Sequence, residues 1–129
     1  MSREQDLRDM LLFGEAYDKS KYMGGVRYFK NLTTEGIHDL LNHNFIEADE
    51  CQNNSPTTQG FLEYMEEWPG YYAHGYAVSF DRSDVRVTIE GIAKEGVFIE
   101  RSELIAFVER FRYADEFVVG DRNLRCWYD

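Results

Sequence analysis

The chain has 129 residues, 43% of them hydrophobic and 16% aromatic, and a formal net charge of −10. That length and apolar content are enough for one core without disulfide or metal staples, and they exclude a disordered polymer. The charge opposes nucleic acid and anionic membrane surfaces and suits either a soluble protein, by solubility alone, or one that meets a basic partner.

Ser2 to Phe13 reads as a helix, with Ser2 and Gln5 as a capping box and Leu7, Met10 and Leu11 along one stripe. Either Gly14 ends it or its turns run on to Ser20, and Lys19 to Gly25 is a loop in which Gly24-Gly25 marks a tight turn. Val26-Arg27-Tyr28-Phe29 fits either a short strand or a helical turn. Thr33 caps a second helix, with Glu35 in its first turn and Ile37, Leu40 and Leu41 as its buried stripe. Asn42 to Asn44 ends that helix, and Phe45-Ile46 follows as an apolar anchor. Glu47 to Pro56 is the longest polar loop. Ser55-Pro56 opens a third helix whose stripe is Phe61, Leu62 and Met65, continued by Trp68, with Glu63, Glu66 and Glu67 opposite.

Pro69-Gly70 turns the chain into the segment around which the rest is organised. Tyr71–Phe80 and Val85–Ile92 alternate with a period of two, and the linker Asp81-Arg82-Ser83-Asp84 is wholly polar. This is the pattern of an antiparallel hairpin. Tyr72, His74, Tyr76, Val78 and Phe80 share one face of the first arm, and Tyr71, Ala73, Gly75, Ala77 and Ser79 the other. A turn at Lys94-Glu95-Gly96 leads to a short strand, Val97-Phe98-Ile99. Ser102 caps a last helix that buries Leu104, Ile105, Val108 and Phe111, and Phe117–Val119 with Leu124–Tyr128 forms a closing hairpin. The expected fold is a single α+β domain over 1–129: a mostly antiparallel sheet of about five strands with helices on one face. If the third and fourth strands are neighbours, the last helix is a right-handed crossover between parallel strands.

The spacing of chemistry-bearing residues excludes more than it identifies. There is no P-loop, dinucleotide fingerprint, nucleophile elbow or kinase signature, and no cofactor is implied. His38 and His43, near Asp39, Glu47 and Asp49, are five apart, so they do not share a helix face and no metal site is read there. Asp81, Ser83 and Asp84 sit in a loop too short for a calcium loop. Cys51, beside Asp49 and Glu50, is a poor thiolate, and it and Cys126 read as two free thiols of a cytoplasmic protein. The N-terminus has the pattern of neither a signal peptide nor a membrane span. A helix, helix, hairpin order like that of a winged helix fails on charge, because the helix that would face phosphate carries three glutamates and no Lys or Arg.

Two sites remain. The first is an acidic surface with aromatic anchors: Glu47, Asp49, Glu50, Glu63, Glu66 and Glu67 with Trp68 and Tyr71. Acids there steer a basic protein partner, and the aromatic residues hold it. The expected function is therefore non-enzymatic protein binding. Size and acidity are of the kind found among inhibitor, immunity and anti-defence proteins, a likeness of composition that transfers no residues. The second site is a pocket between sheet and helices holding His74, Tyr72 and Tyr76, as in a small enzyme or small-molecule binder.

Overall fold

Alternation along the chain from Tyr71 becomes the middle of a five-stranded sheet in the computed structural model, which describes residues 3–52 and 54–128. β2 (Tyr72–Val78) pairs antiparallel with β3 (Val87–Glu95), as the hairpin pattern predicts. β1 (Val26–Leu32) adds to β2, and β5 (Asn123–Trp127) and β4 (Glu116–Val119) extend the sheet beyond β3, giving the order β1-β2-β3-β5-β4. Every pairing among the described residues is antiparallel.

The helices are α1 (Arg3–Phe13), α2 (Thr34–Asn42), α3 (Thr58–Glu67) and α4 (Arg101–Phe111), with a 3₁₀ turn at Lys19–Lys21. They contribute Ile37, Leu40, Phe61, Leu62, Met65, Phe107 and Phe111 to one core with Ala73, Ala77, Val87, Ile89, Ile92, Leu124 and Cys126 of the sheet. Rings dominate its centre. Phe107 stacks on Tyr71 at 6.0 Å and on Phe117 at 5.7 Å, and Phe111 stacks on Phe61 at 6.1 Å. Thr33 caps α2, its side chain accepting from the Gly36 N–H, and Ile46 is buried as an anchor. None of the described helices is long and apolar enough to cross a membrane.

Several local expectations are overturned. Val97-Phe98-Ile99 is not a strand: β3 runs on to Glu95, and Gly96 turns the chain into an irregular connection. The fifth strand is instead Val26–Leu32, so no parallel crossover forms. The cap of α3 is Thr57, which accepts from the Gly60 N–H, while Ser55 closes the preceding loop by accepting from Gln52 N–H. Glu100, without a side-chain bond, precedes α4, and Ser102 lies inside that helix. α4 buries Phe107 rather than Val108, and Ile105 is exposed. The Ser2 cap lies outside the described residues.

Of the expected stripe of α1, only Leu11 packs against the core. Leu7 and Met10 face solvent, and Arg8 and Asp9 are buried. The Arg8 guanidinium donates to Asp9 at 2.9 Å, to the Val78 carbonyl at 2.8 Å and to the Tyr22 hydroxyl at 2.7 Å, and it lies over the Phe80 ring. Tyr22 donates to the other Asp9 oxygen. A buried ion pair survives when its remaining donors and acceptors are satisfied, and here they are.

Candidate functional site

Strand alternation leaves the second face of the sheet without a helix layer among the described residues. Tyr28, Tyr72, His74, Tyr76, Thr88, Ala93, Arg125 and Trp127 fall on it, since their register partners run Tyr28 to Tyr76 to Thr88, Tyr72 to Ala93 to Arg125, and His74 to Gly91 to Trp127. The pocket expected between sheet and helices is therefore on the opposite side. The helix layer fits against Ala73 and Ala77, whose small side chains let it come close, and the larger Tyr72, His74 and Tyr76 turn outward.

A concavity of about 610 Å³ opens on this face. Its floor is made by absence of side chains. Ala93, and Gly91 beneath the His74 ring, occupy the middle strand, between Tyr28, Lys30 and Tyr72 on one side and Arg125 and Trp127 on the other. The register slips between His74 and Gly75, so that Glu90 is the extra residue of a bulge in β3. At the bulge the neighbouring strands come very close. A Cβ on Gly91 would collide with the Cys126 carbonyl oxygen, and one on Gly75 with that of Thr88. Only glycine fits either place.

Gly91 also decides where His74 lies. A Cβ there would sit 2.8 Å from His74 Cε1, so the imidazole extends over the bare backbone of β3. Its Nε2 reaches the Cys126 carbonyl of β5 at 3.1 Å. A carbonyl only accepts, so Nε2 carries the proton and Nδ1 keeps its lone pair. Nδ1 receives no hydrogen bond from a described residue and is not sealed from solvent, so it faces the concavity. Burial, with the Arg125 charge nearby, pushes the His74 pKa down to about 4. The ring is neutral at pH 7, an acceptor on the floor and a weak base.

Of the three residues expected in the pocket, His74 and Tyr72 line it. Tyr76 lies one row away, its ring 6.2 Å from that of Tyr28 and its hydroxyl accepting from Arg86 at 3.0 Å. Lys30, Gly91, Ala93, Arg125 and Trp127 were not singled out from the sequence. They come from β1, β3 and β5, and only the register assembles them.

The acids of the other expected site are placed as follows. Glu47, Asp49, Glu63, Glu66 and Glu67 are exposed, and Glu50 is half-buried, its pKa raised by burial. Glu66 meets His38 of α2 at 3.0 Å. Trp68 ends α3 half-buried against the core. Tyr71 is 4% exposed, its hydroxyl 3.3 Å from that of Tyr64, and so offers no surface to a partner. Cys51 is exposed, and Cys126 is buried, its thiol pushed up to about 12. Among the described residues no group of three His, Cys, Asp or Glu comes together to hold a metal ion.

Fold and face together define an α+β domain with one helix-covered and one open sheet face. Comparison of the chain with protein-family models, curated proteins and solved structures found no match.

Proposed function

We propose that the chain is a binding domain whose ligand, a small molecule, occupies the concavity over His74 and Ala93. One observation carries this reading: large side chains on β1, β2 and β5 surround a middle strand that has nearly none, above a buried neutral histidine. The volume of about 610 Å³ lies within the range of small-ligand sites and is small for a protein partner. A histidine with a pKa of about 4 is a poor general base at neutral pH, which favours recognition over catalysis. The test is a fragment library followed by amide NMR. Binders should move the amides of His74, Gly91, Ala93 and Trp127 together, and Ala93→Phe, which fills the space, should abolish the effect while the fold persists. Shifts scattered over the surface, or unchanged by Ala93→Phe, refute the reading.

A second reading rests on the exposed Glu47, Asp49, Glu63, Glu66 and Glu67, which suit a basic protein partner. It has lost Tyr71 as an anchor. Association with such a partner should slow as salt shortens the screening length from about 10 Å at 0.1 M to about 3 Å at 1 M. It should also slow when Glu63, Glu66 and Glu67 are reversed to Lys. Salt-independent association removes this reading.

A further inference from the structure

The polar groups of the concavity specify a chemistry for its occupant, an inference that rests on the site proposed above. We propose that the ligand is a flat heteroaromatic molecule with a ring N–H that donates to His74 Nδ1 and one anionic substituent directed across the strands to Arg125.

Three observations carry it. The first is the tautomer: because Nε2–H is committed to the Cys126 carbonyl, the floor offers a lone pair, so the ligand atom above it must be a donor. A ligand that presents an acceptor or a methyl group there leaves that lone pair unsatisfied. The second is the shape of the space. Its floor is the His74 ring, lying over Gly91, and the methyl of Ala93, with Tyr28 and Tyr72 on one flank and Trp127 on the other. Tyr28 is 72% exposed and Tyr72 48%, so their rings have faces to offer to a planar group. The third is charge. Arg125 uses one guanidinium nitrogen for Glu116, at 3.3 Å, and Lys30 has no partner among the described residues. They stand across the strands on either side of the floor, whereas Glu90 and Glu95 stand along β3 at its two ends. An anion directed across the strands meets cations; one directed along them meets carboxylates.

The probes are indole acetate, its N-methyl analogue, naphthalene acetate, uncharged indole and tryptamine, titrated into labelled protein and followed at the Gly91 and Ala93 amides and the Trp127 indole N–H. Indole acetate should bind, and the N-methyl and naphthalene compounds should bind about tenfold more weakly, the loss expected when one buried acceptor is left unsatisfied. Tryptamine should bind more weakly than indole acetate. Arg125→Gln, at a half-exposed position the core does not need, should weaken indole acetate and leave indole unchanged. Equal binding of indole acetate and naphthalene acetate overturns the donor requirement, and tighter binding of tryptamine overturns the anion. If none of the five binds while unrelated fragments move the same amides, the ligand class falls and the site stands. If no compound moves those amides, the site falls as well.

Discussion

His74 Nε2 donates to the carbonyl oxygen of Cys126 at 3.1 Å, spanning β3 above Gly91 to join two strands that are not neighbours. Burial and the Arg125 charge take the His74 pKa from 6.5 to about 4. Between those values the unfolded chain binds a proton at His74 that the folded chain does not. The contribution of the neutral ring to stability is therefore intact above about pH 6.5 and lost as pH falls through 4, on the order of 3 kcal/mol in all. His74→Gln keeps a donor for the carbonyl and cannot titrate. Urea melts at stepped pH should show a steeper loss for the wild type than for this variant; parallel curves would mean that the ring is not held neutral.

Gly91→Ala should cost on the order of 3–5 kcal/mol, because the new methyl meets backbone that cannot retreat. Gly75→Ala should do the same. Gly120→Ala is the control: its added Cβ meets only the Asn123 oxygen at 3.7 Å, an ordinary contact. Thermal melts of the three variants decide this, and a Gly91→Ala protein as stable as the control would contradict the bulge geometry.

Phe107→Ala should destabilise by about 3–5 kcal/mol, since the ring is fully buried and packs on Tyr71, Phe111 and Phe117. Val108→Ala, at a half-buried position, should cost less than about 1.5 kcal/mol. Chemical denaturation gives both values, and the reverse order would place the other face of α4 in the core.

Arg8→Met should cost about 3–5 kcal/mol, the penalty for leaving Asp9 charged, buried and without its cation. Replacing both, as Arg8→Met with Asp9→Leu, should recover part of that loss. A double variant no better than the single one would show that the pair is not coupled.

Thiol counting separates the two cysteines. At pH 8 a thiol reagent should modify exposed Cys51 in the folded protein and reach Cys126 only in denaturant, because that thiol is fully buried and pushed up to about 12. Two fast equivalents from folded protein would be the contrary result.

The fold was largely legible because its signals are local. Alternation in Tyr71–Phe80 and Val85–Ile92 gave the hairpin, and Ile37 with Leu40 and Phe61 with Leu62 gave the buried stripes of α2 and α3. α1 misled because its buried residues are charged, and nothing local announces that Tyr22 and the Val78 carbonyl wait for them. In α4 both Leu104–Val108 and Phe107–Phe111 satisfy helical spacing, and only the aromatic cluster built by Tyr64, Tyr71 and Phe117 selects the second pair. The candidate site was half legible. His74 and Tyr72 stood out by residue type, but the side of the sheet they occupy depends on which face admits helices. Size misleads there, because Ala73 and Ala77 make the better seat.

The division of labour between the two faces has an evolutionary consequence. The interior rings and aliphatic chains lie beneath the helices, so Tyr28, Lys30 and Arg125 can be exchanged without disturbing them. Under the binding role proposed above, descendants of this chain could alter what they recognise by changing a few letters on the exposed side at little cost in foldedness. Gly91 has no such freedom: it admits both the neighbouring backbone and the His74 ring. A lineage that lost that glycine would give up the domain itself, whatever became of the exposed side.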